Sequence, residues 1–162
     1  MSVSIRIAAP ADGPAIYRAW GAIREHYAAT DGRVVNAPVG EPEFIAALRD
    51  SIARATSCTM VAERGEALAG FISGGIEQNQ PGRLPERHAT IGYLYVAPEH
   101  RREGIGRQLV GALSAWAAKQ DGVNHLEMTV LARDSAAAAF WRSLGFAPFI
   151  ERLWAPLAGS ES

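Results

Sequence analysis

The chain has 162 residues, a length that usually forms one domain, so we expect a single domain over residues 1–162. Its 16 basic and 17 acidic residues give a net charge of −1, and 48% of the residues are hydrophobic; this balance argues against nucleic-acid binding and against disorder. The one cysteine, Cys58, excludes an internal disulfide and a scaffold of secreted disulfide-rich proteins. With no signal-peptide pattern and no apolar run near the roughly 18 residues of a membrane helix, we expect a cytoplasmic protein without a membrane partner.

The first half of the chain predicts a strand, two helices and two further strands. Apolar and polar residues alternate over 3–8, which is typical of a strand. A helix is predicted to begin at Asp12-Gly13-Pro14, a loop covers 28–40, and a second helix begins near Pro42. Strands follow over 58–62 and 67–76, joined by a short turn, and a loop rich in Gly and Pro covers 78–87.

The second half alternates strands and helices. A strand over 89–96 precedes an amphipathic helix over 104–119, and a strand over 126–131 precedes a helix over 134–144. Two short strands, over 146–149 and 151–154, are predicted to end the chain. The strand–helix–strand unit implies two parallel strands joined by a right-handed crossover, and the hairpins of the first half imply a mixed sheet.

The segment 93–107 carries the most specific chemistry. A strand ends there, a basic loop follows, and Gly104 and Gly106 open a helix. A helix N-terminus presents unpaired N–H groups and favours negative charge, and glycine lets an anion approach the backbone. Gly104 and Gly106 are also typical of a tight turn that packs a strand against a helix. A Rossmann motif is excluded, because Leu109 occupies the position of its third glycine. Positive charge that suits a pyrophosphate comes from Arg101, Arg102 and Arg107.

Two motifs carry a resemblance to a known family. The run 101–106 (RREGIG) resembles the acetyl-CoA pyrophosphate motif Gln/Arg-x-x-Gly-x-Gly/Ala of the GNAT superfamily of N-acetyltransferases, and 140–146 (FWRSLGF) resembles its second motif. The motif-level similarity covers roughly residues 88–150. The resemblance implies an α/β (α+β) acyl-CoA N-acyltransferase fold, with a mixed central sheet of about seven strands, about four flanking helices and a V-shaped splay between two central parallel strands.

The resemblance also implies an activity: transfer of an acetyl group from acetyl-CoA to a primary amine of a small molecule or peptide, by direct attack in a ternary complex and without a metal. Dimerisation is common in the family, so a homodimer is possible. The end of the motif strand would pair with the pantetheine arm, and the N–H near Val96 would hold the thioester oxygen. The cofactor-binding residues so implied are Leu94, Tyr95, Val96, Arg101, Arg102, Glu103, Gly104, Ile105, Gly106, Arg107, Asp134 and Trp141.

This sequence departs from the family at the groups that transfer protons. Trp141 stands where many members have a tyrosine acid, and neither Thr90 nor Gly92 is the strand glutamate of many members. His88 is a substitute base, with a solvated loop histidine as the alternative, and Tyr93 is a proton relay or a core residue. The same departures leave open a non-catalytic acyl-CoA-binding or sensing module on this fold. The catalytic candidates are Val96, Tyr93 and His88.

Other polar residues have simpler explanations. Helix capping alone would explain Asp134, and His26 and His125 are expected to be structural. Several acidic residues flank the first two helices, where the family binds its acceptor, and they could attract a cation or be merely solvated: Glu25, Asp31, Glu41 and Glu43.

Overall fold

A five-stranded mixed sheet forms the centre of the computed structural model, which describes residues 2–159. Its strands stand in chain order: β1 (Ser4–Ile7), β2 (Ser57–Arg64), β3 (Ala67–Gln78), β4 (Arg87–Val96) and β5 (Leu126–Met128). Neighbouring strands from β1 to β4 are antiparallel, whereas β4 and β5 are parallel. The predicted mixed sheet with a parallel pair in the second half is confirmed.

Four α-helices cover the two faces of this sheet within the described range: α1 (Gly13–Thr30), α2 (Glu41–Ile52), α3 (Ile105–Ala117) and α4 (Ser135–Ser143). Helices α1 and α2 contribute to a core that includes the fully buried Val61 and Phe71. Helices α3 and α4 contribute to the second core, around Ile72 and Leu109. Alternate residues of β2 and β3 therefore supply both cores, as the period of a strand requires. None of these helices is long and apolar enough to cross a membrane.

The parallel pair is short, and this shapes the site. Three register pairs join β4 to β5, and the last is Ile91 with Met128. Strand β4 then continues to Val96, while the chain after Met128 leaves the sheet. We call the space between the separated strands the β4–β5 gap. A bulge places Gly92 as an extra residue on β4, because Tyr93 pairs with Ser73 and Ile91 already pairs with the next residue of β3.

The strand count corrects the prediction from about seven strands to five. Strand β5 ends at Met128 instead of reaching 131, and the expected strands over 146–149 and 151–154 are wrong, since the structure has no regular element from 144 to 159. Gly145, at φ +92°, turns the chain after α4. Hydrophobic side chains further along this segment face solvent: Phe149 is 71% exposed and Leu153 84% exposed. Pro148 lacks an N–H for any ladder.

Polar contacts hold the segment between α1 and α2. Helix α1 extends to Thr30, so the loop is shorter than the predicted 28–40. The Tyr17 hydroxyl donates to the Val39 carbonyl (2.8 Å), tying the end of the loop back to α1. Asp31 is buried, and the guanidinium of Arg33 donates to its carboxylate and holds the pKa of that group well below its usual range. Solvation does not explain Asp31, which organises this loop.

Candidate active site

The edge of β4 that faces the β4–β5 gap carries free backbone groups. The N–H of Ala97 donates to the carbonyl of Ala69 in β3 (2.9 Å). Because successive backbone groups alternate between the two edges of a strand, the N–H groups of Leu94 and Val96 point to the opposite edge, into the gap. The Val96 carbonyl, on the same edge, accepts a hydrogen bond from Arg101 Nε (3.2 Å). An extended ligand can therefore add to β4 here as a further strand would.

Helix α3 begins next to this edge with an open N-terminus. Its N-cap residue is Gly104, at φ +80°, and no side chain caps the helix. The helical ladder starts with the N–H of Gln108, which donates to the Gly104 carbonyl (3.1 Å). The preceding N–H groups have no acceptor inside the helix and are available to an anion; they belong to Ile105, Gly106 and Arg107. Three exposed arginines lie at or just before this helix start: Arg101, Arg102 and Arg107.

Two residues of this motif have structural contacts of their own. A Cβ at Gly106 would lie 3.2 Å from Phe140 Cζ, so glycine here lets α3 pack closely against α4. Glu103 accepts a hydrogen bond from the Arg64 side chain of β2, and this ion pair holds the loop that precedes α3. Close packing against α4 therefore explains why residue 106 is a glycine, whereas the positive φ explains the glycine at 104.

Asp134 connects α4 to α1 beside the gap. Its Oδ1 accepts from the N–H of Ala137 (3.0 Å), so it is the N-cap of α4, as capping predicts. Its Oδ2 lies 2.6 Å from Nε2 of His26 on α1. Burial opposes ionisation of Asp134, but the hydrogen bonds from Ala137 and His26 outweigh it and lower the pKa of the carboxyl. No feature of the sequence predicts that His26 and Asp134, which are 108 positions apart, lie in contact.

Tyr27 lies close enough to Tyr93 and to Asp134 for their charges to interact. Tyr27 of α1 has its pKa raised, chiefly by burial and further by the negative charges that Tyr93 and Asp134 carry when ionised. Tyr93 is 37% exposed, and its backbone pairs with Ser73 of β3. The predicted relay residue therefore borders the β4–β5 gap with its side chain accessible.

Trp141 is a core residue. Its side chain is 7% exposed and forms edge-to-face contacts with Phe140 and Phe146, each with ring centroids 5.1 Å apart. Such pairs stabilise a core beyond the area they bury. Its predicted contact with the pantetheine arm stays a prediction.

His88 is buried within β4 at 7% exposure, so its explanation as a solvated loop histidine is wrong. Its Nε2 lies 3.6 Å from an oxygen of Glu127 and 4.0 Å from an oxygen of Glu77, and its ring stacks on His125. The sequence does not predict either glutamate as a neighbour of His88, because only the register of β3, β4 and β5 brings these side chains together. In the described part of the chain, no group of three or more His, Cys, Asp or Glu has an arrangement that could hold a metal ion.

This chain is similar to known proteins both in sequence and in structure. The profile of the acetyltransferase (GNAT) family matches residues 20–146, most of the chain. Human N-acetyltransferase 8 is 32% identical over 90 residues, which cover 56% of this chain and 38% of that protein. The match therefore spans well under half of that relative.

Solved structures match over nearly the whole chain. A mutant of the BH1408 protein from Bacillus halodurans has a TM-score of 0.82 at 20% identity, covering 95% of this chain and 99% of that one. The structure of AAC(6')-Iy with a bisubstrate analogue, CoA-S-monomethyl-acetylneamine, has a TM-score of 0.75 at 14% identity, covering 97% and 99% of the two chains. These structures share the fold, and the profile match identifies the group: this chain belongs to the GNAT family of acetyltransferases.

Proposed function

We propose that this protein is an N-acetyltransferase that moves the acetyl group of acetyl-CoA to a primary amine of a small molecule or peptide, by direct attack in a ternary complex. One observation carries the proposal: the free edge of β4 leads directly into the open N-terminus of α3. A strand-like arm followed by a pyrophosphate is the ligand shape that such a surface accepts.

Acetyl-CoA would lie along this surface in a defined order. The N–H groups from Arg102 to Arg107 would hold the pyrophosphate, assisted by the surrounding guanidinium groups. The pantetheine arm would pair with Leu94 and Val96 in the β4–β5 gap, flanked by Asp134 and by α4. The structure of AAC(6')-Iy, which shares this fold and was determined with a CoA-based bisubstrate analogue, supports CoA as the carrier.

The reaction needs a proton acceptor and a polarised carbonyl. An alkylammonium has a pKa around 10, so a base must remove a proton before the nitrogen can attack at neutral pH. His88 is our candidate base and Tyr93 our candidate relay, while the Val96 N–H would stabilise the oxyanion. The new C–N bond forms as the C–S bond breaks, and the CoA thiolate takes up the second amine proton. Alignment of the two reactants supplies a large share of the rate.

A thermal-shift titration tests the binding half of this proposal. Acetyl-CoA at 100 times its dissociation constant should add about 2.7 kcal/mol of stability, and CoA should behave similarly. ATP shares a phosphate chain but lacks the pantetheine arm, so it should shift the melting curve little. No shift at millimolar acetyl-CoA would contradict the proposal.

A second candidate function is a non-catalytic acyl-CoA-binding module. The burial of Trp141 and the lack of a carboxylate at Thr90 and Gly92 favour it, because both usual proton-transfer groups are missing. This candidate predicts acetyl-CoA binding with no amine-dependent release of CoA. The affinity for acetyl-CoA therefore does not distinguish the binding module from the enzyme, whereas amine-dependent release of CoA does.

We also propose a domain organisation, a location and an oligomeric state for this protein. We expect one functional domain, because both cores share the same sheet. We expect a cytoplasmic location, which the free thiol of buried Cys58 supports. A homodimer is supported by the apolar C-terminal segment, residues 146–157, whose exposed side chains are Phe149, Ile150, Leu153, Trp154 and Leu157.

A further inference from the structure

Two arginine side chains converge on one buried carboxylate between the end of α1 and the start of α4. Arg33 follows α1 and donates from its Nε to Oδ1 of Asp31 (2.9 Å). Arg133 precedes α4, and its Nε lies 3.8 Å from Oδ2 of Asp31, the oxygen that Arg33 also contacts. We call Arg33 and Arg133 the arginine pair. No sequence motif marks the pair, because only the packing of α1 beside the start of α4 brings its members together.

The arginine pair carries more charge than Asp31 neutralises. Two guanidinium groups, which stay protonated in proteins, share a single carboxylate, so one positive charge of this group is left without a partner. Asp31 itself is 3% exposed. Hydrogen bonds from the side chain and the N–H of Arg33, together with the charge of Arg133, hold the pKa of Asp31 well below its usual range. The carboxylate is therefore already paired with cations of this chain, and the surface around it attracts an anion.

Both arginines keep N–H donors that a ligand can use. A guanidinium has five N–H donors in a planar fork. Arg33 is 42% exposed and uses donors on Nε and Nη2 for Asp31, which leaves the others available. Arg133 is 66% exposed, and within residues 2–159 its side chain donates no hydrogen bond. Such donors bind a carboxylate or a phosphate through parallel hydrogen bonds.

The arginine pair lies beside the β4–β5 gap. Asp134 directly follows Arg133, and its Oδ2 lies 2.6 Å from Nε2 of His26 on α1. Asp31 comes five positions after His26, about 7.5 Å further along the helix axis. The carboxylate of Asp134 is engaged by His26 and by the N–H of Ala137, which leaves the arginine pair to a ligand. A molecule with one end in the gap therefore reaches the arginine pair with its other end.

On the basis of the acetyl transfer proposed above, we propose that Arg33 and Arg133 bind an anionic group, a carboxylate or a phosphate, carried by the amine acceptor. The amine of the same molecule enters the β4–β5 gap, while its anionic group lies on the arginine pair. The pair takes no part in making or breaking bonds, so it determines acceptor specificity through KM and not through kcat. The substrate class narrows from primary amines in general to amines with a negative group about 7.5 Å from the nitrogen.

Two pairs of acceptors that differ only in the anion test this selectivity. 6-Aminohexanoate is pentylamine with an added carboxylate, and glucosamine 6-phosphate is glucosamine with an added phosphate. Amine-dependent release of CoA should give a kcat/KM about tenfold higher for the anionic member, and the pair with the larger ratio identifies the preferred anion. Equal values within both pairs would overturn the inference and leave the acetyl transfer intact.

Arg133→Gln tests whether the arginine pair is the site. Because this side chain donates no hydrogen bond within the described chain, the variant should fold as the wild type does. The KM for the anionic acceptor should rise about tenfold, with the KM for its neutral counterpart and for acetyl-CoA unchanged, and Arg133→Glu should raise it further. Arg83→Gln is the matched control, since Arg83 is exposed in the loop between β3 and β4. Equal effects of Arg133→Gln and Arg83→Gln would overturn the assignment.

Calorimetric titration of the CoA complex with the two anionic amines separates this inference from the proposed function. Binding that weakens about tenfold in Arg133→Gln, together with no release of CoA from acetyl-CoA, would contradict the acetyl transfer and support the anion site. Binding that Arg133→Gln leaves unchanged would overturn the anion site, whether or not the wild type acetylates these amines. Failure of both anionic amines to bind at millimolar concentration would overturn it as well.

Discussion

Gly104 has a backbone conformation that other residues adopt only at a cost. Its φ is +80°, and a Cβ there would meet no atom within 4 Å, so the cost of Gly104→Ala is conformational alone. We expect the free energy of unfolding to fall by about 1 kcal/mol and acetyl-CoA binding to weaken as the loop rearranges. Denaturant unfolding and a binding titration measure the two effects.

Gly111 provides the control within the same helix. It lies inside α3, with no atom within 4 Å of its Cβ position and no positive φ. Gly111→Ala should therefore raise the free energy of unfolding by about 0.5–1 kcal/mol. Stabilisation by Gly104→Ala as well would contradict the role assigned to the left-handed conformation.

Asp134 makes the stability of α4 depend on pH. Its pKa is lowered in the folded state, so its contribution is complete above the unfolded pKa near 3.9 and is lost as the pH falls through the folded pKa. Asp134→Asn should lower the free energy of unfolding by about 1 kcal/mol at pH 7, because the carboxylate accepts charge-assisted hydrogen bonds, and the difference from wild type should shrink as the pH falls through the folded pKa of Asp134. Chemical denaturation across this range measures it, with Asp50→Asn on the exposed face of α2 as the control. A constant difference at all pH values would show that charge has no role.

Single residues differ in how well the sequence predicts them. Gly104 and Asp134 have local signals, a glycine before a helix and a carboxylate at a helix start, and the structure gives both residues the expected helix-end positions. The partners His26, Glu77 and Glu127 have no local signal, because their contacts depend on register and on packing between distant elements.

At the scale of elements, hydrophobic periodicity correctly predicted the strands and the helix that have a buried face. The predicted strands over 58–62 and 67–76 and the helix over 104–119 lie in buried parts of the structure, and all three are confirmed. The predicted strands after Gly145 contain hydrophobic residues that are mostly exposed, and no neighbouring strand pairs with them. A pattern of side chains does not supply hydrogen-bond partners for a backbone.

The contact between α3 and α4 yields a prediction at this scale. Gly106→Ala would place a Cβ 3.2 Å from Phe140 Cζ, and the Phe140 ring also packs against Trp141. We expect a loss of about 1 kcal/mol, since the crowding exceeds the gain in helix propensity. Phe140→Leu added to Gly106→Ala should recover part of the loss, as a double-mutant cycle measures. Strictly additive effects would contradict a direct contact.

At the scale of the whole molecule, the apolar C-terminal segment exposes five large hydrophobic side chains. Its side chains at Leu153 and Leu157 are more than four-fifths exposed, and Arg33 lies over the ring of Trp154, 5.5 Å from its centroid. Exposed apolar patches of this kind mark surfaces that associate. Nothing in the sequence distinguished this segment from a buried strand, because burial is a property of the assembled fold.

Light scattering after size exclusion tests the association. We expect a mass twice the 17.3 kDa of one chain for the wild type and a monomer for Leu153→Ser. Leu84→Ser is the matched control: Leu84 is 83% exposed but lies in the loop between β3 and β4. A monomeric wild type would contradict the homodimer.

The central claim is that this fold transfers an acetyl group, and CoA release from acetyl-CoA in the presence of amines measures it most directly. Cys58 adds little background to a thiol assay, because burial raises the pKa of its thiol to about 11. The account predicts CoA release that requires an amine, saturates with both substrates and yields one acetylated amine per CoA by mass spectrometry. Acetyl-CoA binding with no release above hydrolysis, over a broad panel of primary amines, would contradict it.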